Sequence, residues 1–247
     1  MFYLLFVFRA YLVYNWQELT RFTNGATMIR WYYYIARYAC IIFFRLFTSW
    51  RTEGLENVPQ KGAVLIVSNH LSNADPPLVS VTLNRNTLFM AKEELFKNPI
   101  LGYCMFGFGA FPVHRGQLDR KALRHAEKIL SENQILAMFP EATRSKEAKL
   151  RTAYPGSALI AERNNVPIVP VAITGTEKLA GWSWLYHRYP ILIRFGQPFN
   201  LPQSDAKRTR DTLDESTRII MGQIAALLPE QYRGVYGSQD IKDELID

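Results

Sequence analysis

The sequence predicts an α/β protein with a central sheet that is mostly parallel or mixed, flanked by helices and preceded by an N-terminal two-helix hairpin. Short apolar runs rich in β-branched residues alternate with segments of helical periodicity, which is the pattern of parallel strands joined by crossover helices. About half of the aromatic residues lie within residues 1–50, together with five arginines, one glutamate and no lysine. A globular body of ordinary charge therefore follows an aromatic and basic appendage.

The elements of the body follow one another from Trp50 onward. The run 63–68 is apolar and β-branched, as a buried strand requires. Asp75 and the two prolines after it are typical of a helix start. Residues 119–131 form an amphipathic helix with Leu123, Ile129 and Leu130 on its apolar side. In full, the predicted strands are 63–68, 88–91, 111–113, 135–139, 168–174 and 191–195, and the predicted helices are 75–83, 119–131, 152–163 and 205–228.

The composition excludes several classes of protein. A chain of 247 residues with 48% hydrophobic residues folds around its own core, and two cysteines rule out a disulfide scaffold. No cluster of His, Cys and carboxylate side chains has zinc-ligand spacing, so we predict neither metal nor cofactor. The net charge of +7 arises largely from arginines among aromatic residues in the appendage, and no nucleic-acid-binding motif is present. We therefore expect no nucleic-acid partner.

Three arginines determine the interpretation of the appendage. At 100° per residue, Arg30, Arg37 and Arg45 share one stripe of a helix whose other faces are aromatic and aliphatic. This pattern is typical of a helix in the membrane interface, with cations at the headgroups and apolar side chains in the acyl boundary. A membrane-spanning hairpin and a hairpin packed on the protein's own core remain alternatives. We predict membrane attachment by residues 1–49, an α/β domain over 50–232 and a polar tail over 233–247.

The first cluster of candidate catalytic residues is Asn69-His70, followed by Asp75. His70 leaves a predicted strand and Asp75 opens a helix, at the edge of the sheet where α/β proteins place their sites. A carboxylate bonded to one imidazole nitrogen leaves the other nitrogen free as a general base. No serine or cysteine stands in a nucleophile elbow, which favours direct attack by a substrate hydroxyl. A helix-capping Asp and a surface His are the alternative interpretation.

The second cluster is Phe139-Pro140-Glu141-Ala142-Thr143-Arg144-Ser145, directly after a predicted buried strand. It holds a carboxylate and a guanidinium three residues apart, and arginine suits bidentate phosphate binding. A solvated charged loop is the alternative. The segment 109–115 offers Arg115 after another strand. The block 166–173 carries no ionisable group, and its prolines indicate an edge strand or bulge that shapes a pocket.

Taken in this order, the four blocks resemble the glycerolipid acyltransferase family, and within it the bacterial lysophosphatidate acyltransferases, over about residues 54–197. The family's N-H-x-x-x-x-D pattern is matched by Asn69, His70 and Asp75, and its F-P-E-G-T-R-S pattern by residues 139–145 except at Ala142. The resemblance implies transfer of a fatty acyl group from a thioester to the hydroxyl of lysophosphatidate, giving phosphatidate for phospholipid synthesis without a covalent acyl-enzyme.

The resemblance also implies roles for individual residues. His70 would be the base and Asp75 its orienter. Glu141, Thr143 and Arg144 would position the acceptor, and Arg115 would help to hold its phosphate. Lys92 resembles a family residue at a strand end and is our candidate donor to the thioester oxyanion, with backbone N–H groups near Asp75 as the competitor.

Two departures from the family pattern concern the acceptor. Ala142 stands where the family usually has glycine, so we expect this turn to keep negative φ, or the acceptor to sit differently. His114 stands where the family more often has an acidic or small residue, and we expect it to be exposed rather than to contact phosphate.

The expected partners follow from the reaction. They are membrane lipids with lysophosphatidate as acceptor, and acyl-CoA or acyl carrier protein as donor. The expected location is the cytoplasmic face of the cell (inner) membrane, where soluble thioesters occur. The same chemistry on glycerol 3-phosphate or another lysolipid, and a non-catalytic lipid-binding module, remain alternatives.

Overall fold

The computed structural model describes residues 31–98, 102, 105–106, 108–114, 119–202 and 209–237. The predicted first helix of the N-terminal hairpin and Arg115 lie outside these residues. The described strands are β1 (Ser49–Glu53), β2 (Val64–Ser68), β3 (Thr87–Lys92), β4 (Ala110–Val113), β5 (Ile135–Met138), β6 (Ile168–Thr174) and β7 (Pro190–Phe195). The helices are α1 (Trp31–Phe47), α2 (Asp75–Thr82), α3 (Arg120–Ser131), α4 (Gly156–Asn164) and α5 (Arg210–Leu227).

The strands form one mixed sheet in the order β1-β7-β6-β2-β5-β3-β4. Strands β2 to β6 run parallel to one another, β7 is antiparallel to β6, and β1 is parallel to β7. The α/β prediction is therefore confirmed. The polarity places the carboxyl ends of β2, β5, β3 and β4 at one edge, so the predicted site segments all leave the sheet at that edge.

Two helical layers cover the sheet because successive side chains of a strand point to opposite faces. Leu65 and Val67 of β2 face the layer of α3, α4 and α5. Val64 and Ile66 face the layer that contains α1 and α2. All five residues of β2 are buried, as expected for a central parallel strand.

The edge strand β1 was not predicted. Its side chains alternate between exposed and half-buried, so the segment contains no apolar run. It is a strand because Ser49–Glu53 pairs in register with Pro190–Arg194 of β7. Only the neighbouring strand makes this segment recognisable.

The expectation of an edge strand or bulge at 166–173 is wrong, because β6 is bonded on both sides. Pro170 is tolerated there because the ladder with β7 begins only at Val171. The carbonyl of Pro170 still accepts a hydrogen bond from the Gly196 N–H at 2.8 Å.

Two helices begin later than predicted. Helix α4 starts at Gly156 rather than at residue 152, because Pro155 disfavours helical backbone before it, and the Arg151 and Tyr154 N–H groups bond elsewhere. Helix α5 starts after Thr209, whose hydroxyl caps the Thr212 N–H at 3.2 Å. Within the residues described, none of the helices combines the length and apolar character needed to cross a membrane.

Candidate active site

The loop after β2 joins His70 to the start of α2. The side chain of Asp75 is fully buried, and its Oδ2 lies 2.9 Å from His70 Nδ1. Because an ionised carboxylate only accepts hydrogen bonds, the neutral imidazole holds its proton on Nδ1. Nε2 is then the basic nitrogen, and it bonds to no residue of the described ranges. The imidazole is thus oriented for proton abstraction.

Asp75 does not cap its own helix, which corrects the expectation of an N-cap. Ala74 occupies that position without a side-chain bond, and the carboxylate turns back toward the loop. There Oδ2 accepts the backbone N–H groups of Leu71 at 2.6 Å and Ser72 at 2.7 Å. Since His70 is only 8% exposed, the surface-histidine alternative is wrong. The carboxylate fixes both the loop and the ring.

Glu141 follows β5, the strand next to β2, and connects two segments of the site. Its Oε1 accepts the backbone N–H of His70 at 3.0 Å, and its Oε2 accepts that of Arg151 at 3.0 Å. The residue is 2% exposed. Burial raises the pKa of Glu141 to about 7, and the two N–H donors act in the opposite direction. An ionised Glu141 satisfies both donors, whereas a protonated one keeps a weaker acceptor on one side.

Other contacts hold His70 from the remaining directions. Its carbonyl accepts the Ser145 N–H at 2.8 Å, so both backbone groups of His70 bond to the 139–145 segment. The ring of Phe139 lies 4.5 Å from the imidazole, centroid to centroid. The two predicted clusters therefore form a single unit, which neither segment indicates alone.

Asn69 has a structural function that the sequence reasoning did not assign. Its side-chain amide donates to the Ile173 carbonyl at 2.8 Å and accepts the Ile173 N–H at 2.7 Å. This pair of bonds anchors the end of β2 to β6 just before His70. The sequence feature that pointed to this function was an asparagine at the end of a buried strand with a second buried strand predicted in the same sheet.

Ala142 has a φ of 57°, so the expectation of negative φ at this turn is wrong. The turn is closed by the Ala142 N–H, which donates to the Phe139 carbonyl at 2.9 Å. A left-handed conformation is unfavourable for alanine by roughly 1–2 kcal/mol. The backbone therefore keeps the geometry that glycine would adopt without strain.

Thr143 and Arg144 lie exposed on this turn, beside Arg151. Arg151 Nη1 donates to Thr143 Oγ1 at 2.7 Å, while the Arg144 guanidinium makes no hydrogen bond or ion pair within the described ranges. Arg151 is a site residue to which the sequence reasoning gave no function, although it lies in the same basic stretch. Through its N–H and side chain it joins Glu141 to Thr143.

A cleft of about 990 Å³ opens next to this turn. Glu141 and Thr143 connect the cleft to the site, whereas His70 lies outside the lining. Basic side chains of Lys146, Lys149 and Arg151 line it, against the carboxylate of Glu147. The cleft can thus accept an anionic group next to the turn that holds the His70 backbone.

Lys92 is the last residue of β3 and His114 follows β4, at the same edge of the sheet. Lys92 Nζ lies 3.2 Å from Glu94 Oε1, and both side chains are about half exposed. His114 is exposed, as expected, but its ring contacts the carboxylates of Glu93 and Asp119. The hydrogen bond to Asp119 raises the pKa of His114. The two carboxylates thus occupy both ring nitrogens of His114, in agreement with the expectation that this residue does not contact a phosphate.

Comparison with known proteins places the chain in a family. Residues 49–174, about half of the chain, match the family described as Acyltransferase. The chain belongs to the Acyltransferase family. The matched region of this acyltransferase-family chain begins at β1 and ends with β6, so it contains His70, Asp75 and the 139–145 segment.

Individual relatives agree with this assignment. The chain is 30% identical over 155 residues to the 1-acyl-sn-glycerol-3-phosphate acyltransferase LPAT1, chloroplastic, of Arabidopsis thaliana, covering 61% of this chain and 43% of that protein. It is 29% identical over 201 residues to the 1-acyl-sn-glycerol-3-phosphate acyltransferase of Streptococcus pneumoniae, covering 78% and 72%. The chain thus spans less than half of the plant protein's length.

A solved structure shares the fold of this acyltransferase-family chain. The 1-acyl-sn-glycerophosphate (LPA) acyltransferase PlsC from Thermotoga maritima superposes with a TM-score of 0.56 at 24% identity. The match covers 86% of this chain and 88% of that one. At this identity, the likeness bears on the fold alone.

Proposed function

We propose that this acyltransferase-family protein transfers a fatty acyl group from a thioester to the free hydroxyl of lysophosphatidate, giving phosphatidate. The observation that carries the proposal is the His70 Nδ1 to Asp75 Oδ2 contact at 2.9 Å, at the carboxyl end of a central strand. The relatives named as 1-acyl-sn-glycerol-3-phosphate acyltransferases support this acceptor.

The proposed reaction needs one base and no covalent acyl-enzyme. His70 Nε2 takes the acceptor hydroxyl proton while the oxygen attacks the thioester carbonyl carbon. Asp75 stabilises the resulting imidazolium. The C–S bond then breaks, and the departing thiolate receives the proton from His70, so the imidazole returns to its starting form. General-base catalysis of this kind contributes about 10²–10⁴-fold.

The oxyanion formed during attack needs a donor. The Leu71 and Ser72 N–H groups near Asp75 already donate to that carboxylate, which removes two of the competing backbone donors. Lys92 stays our candidate, although its ammonium pairs with Glu94 in this structure and must leave that partner to reach an oxyanion.

Basic side chains at the 139–145 turn, which bonds the His70 backbone, support a phosphate-bearing acceptor. Arg144 is exposed and has no partner in the described ranges, and Arg151, which donates to the neighbouring Thr143, lines the cleft. Guanidinium groups suit bidentate phosphate binding. Glu141 acts in this proposal as a positioning residue, because both of its oxygens bond backbone N–H groups. Arg115 stays a predicted phosphate ligand.

The exposed face of α1 supports attachment to a membrane. Ile35, Tyr38, Ile42 and Leu46 are all exposed there, Arg45 is exposed as well, and the helix has no carboxylate. Arg37 instead donates to the Ser80 carbonyl of α2 at 2.9 Å, so the expectation that it faces the headgroups is wrong. Such a helix suits the bilayer interface. We place the body at the cytoplasmic face of the cell membrane, where either acyl-CoA or acyl carrier protein supplies the acyl group.

The test compares the full chain with His70→Ala in phospholipid vesicles. Each receives acyl-CoA or acylated carrier protein with lysophosphatidate, glycerol 3-phosphate or lysophosphatidylcholine, and the lipid products are identified by mass. We expect phosphatidate from the lysophosphatidate sample and a loss of about 10²–10⁴-fold in His70→Ala. His125→Gln, on α3 and outside the site, is the matched histidine control.

Equal product from wild type and His70→Ala would overturn the catalytic assignment. If only glycerol 3-phosphate or only lysophosphatidylcholine is acylated, that compound replaces lysophosphatidate as the proposed acceptor. Absence of product with every pair of substrates would favour a non-catalytic lipid-binding module.

A further inference from the structure

A second apolar surface lies beside α1, in the loop between β6 and β7. Trp182 is 83% exposed and Tyr186 is 88% exposed. Trp182 precedes the short 3₁₀ helix Ser183–Tyr186 and Tyr186 is its last residue, and this helix contains no carboxylate. Large aromatic side chains at this exposure are uncommon on a surface that faces only water.

The loop is joined to α1. The ring of Trp184 packs edge-on against Phe43 at 5.7 Å between centroids. The Arg188 guanidinium donates to the Arg45 carbonyl at 3.1 Å, at the end of α1. The Ser49 N–H donates to the Tyr189 carbonyl at 3.0 Å. The exposed aromatic residues of the loop therefore continue the exposed apolar face of α1.

Charge on this surface has one sign. Arg45, Lys178 and Arg188 are exposed, and α1 contains no acidic residue. The single carboxylate of residues 175–189, Glu177, is half-buried and accepts the Tyr232 hydroxyl at 2.8 Å. Aromatic rings among uncompensated cations are complementary to an anionic lipid surface, where each cation contributes about 1 kcal/mol.

The loop also lies at the edge of the sheet that carries His70. It connects the carboxyl end of β6, which is parallel to β2, to the start of β7, which is antiparallel to β6. The end of β2 leads directly to His70. A lipid surface against the loop therefore lies at the same edge of the sheet as His70.

We infer that Trp182 and Tyr186, with the cations Lys178 and Arg188, form a second membrane contact beside α1 that inserts into an anionic bilayer at the active-site edge. We call this set the loop surface. It rests on the proposed function, because a lipid acceptor requires the enzyme to sit at a bilayer. It differs from attachment through residues 1–49 because the loop lies more than a hundred residues further along the chain.

A site-specific fluorescent label tests the loop surface on the full chain. Cys40 and Cys104 are replaced by serine, Tyr186→Cys is labelled with nitrobenzoxadiazole, and vesicles of phosphatidylcholine with phosphatidylglycerol are added. We expect the emission to shift to shorter wavelength as the label enters the acyl boundary. A label at Ser131→Cys, exposed at the end of α3 on the opposite edge of the sheet, is the matched control and should not shift.

Two companion measurements define the chemistry. Trp182→Ser should weaken vesicle affinity by about tenfold, because it removes one inserted aromatic ring. Lys178→Glu should weaken vesicle affinity on anionic vesicles more than on phosphatidylcholine alone. Lys61→Glu, exposed before the start of β2 at the opposite edge of the sheet, should have little effect on either.

Several outcomes would overturn the inference. An unshifted label at 186 on vesicle-bound protein removes the contact. A shift that depends on protein concentration in the absence of vesicles would show that a second copy of the chain covers the loop surface. A shift produced by acyl carrier protein would show that the surface binds the acyl donor. A label that emits at short wavelength already in buffer, and shifts to longer wavelength when residues 1–30 are deleted, would show that residues 1–30, and not a bilayer, cover the loop surface.

The labelling needs no acyl donor, so the inference and the proposed function fail separately. Phosphatidate formation with an unshifted label refutes the loop surface alone. A shifted label without product in the wild type refutes the proposed reaction alone.

Discussion

Glu141→Gln tests how the buried carboxylate between His70 and Arg151 contributes to stability and activity. In the wild type, each oxygen accepts one backbone N–H at 3.0 Å. Glutamine offers one oxygen and one NH₂ group, so one of the two buried N–H groups faces another donor. Leaving a buried donor unsatisfied costs about 1–3 kcal/mol.

The pH dependence gives this prediction its sign. Burial raises the pKa of Glu141 from 4.5 to about 7. The folded protein therefore binds this proton more tightly than the unfolded chain does, and the stabilising contribution is complete below about pH 4.5. It is lost as the pH rises to about 7, a change of about 3 kcal/mol.

Urea denaturation of wild type and Glu141→Gln across this pH range measures the contribution. We expect the wild type to lose about 3 kcal/mol of unfolding free energy relative to the variant as the pH rises. Glu215→Gln, which removes an exposed carboxylate of α5, corrects for the loss of a solvated charge. A wild-type-minus-Glu141→Gln difference that is constant with pH would refute the reasoning.

Activity provides a second measurement on the same variants. Because Glu141 holds the backbone of His70, we expect Glu141→Gln to lose about 10²-fold in kcat, the size of effect that a displacement of about 1 Å can produce. The wild-type rate should fall as Glu141 takes up its proton below about pH 7. Full activity of Glu141→Gln would show that the two backbone bonds do not position the base.

Two further predictions concern Asp75, which bonds the His70 imidazole, and Ala142, in the turn after β5. Asp75→Asn keeps the size of the side chain but removes the charge that stabilises the imidazolium, so kcat should fall by about 10²–10⁴-fold with folding retained, as circular dichroism would check; wild-type kcat in a folded variant would contradict the role. Ala142→Gly relieves the positive φ and should raise the unfolding free energy by about 0.5–1 kcal/mol, whereas Ala226→Gly, at an exposed position of α5, should lower it by a similar amount. A loss of stability in Ala142→Gly would show that the alanine methyl group contributes packing that outweighs the strain.

The sequence by itself predicted the strands and helices wherever an apolar run or a helical period carried the information. Buried β2 and amphipathic α3 agree with their patterns because burial selects the residue types at each position. The sequence also indicated two separate clusters, His70 with Asp75 and the 139–145 segment. Their resemblance to a family supplied the order and the chemistry.

Only the tertiary structure decided how these clusters combine. Glu141 bonds the backbones of His70 and Arg151, Asn69 bonds β6, and the edge strand β1 exists through β7. None of these contacts leaves a periodic signal, because each joins residues distant in sequence through backbone groups that every residue carries. The sequence determines which side chains are available, and the parallel sheet determines which backbone groups they meet.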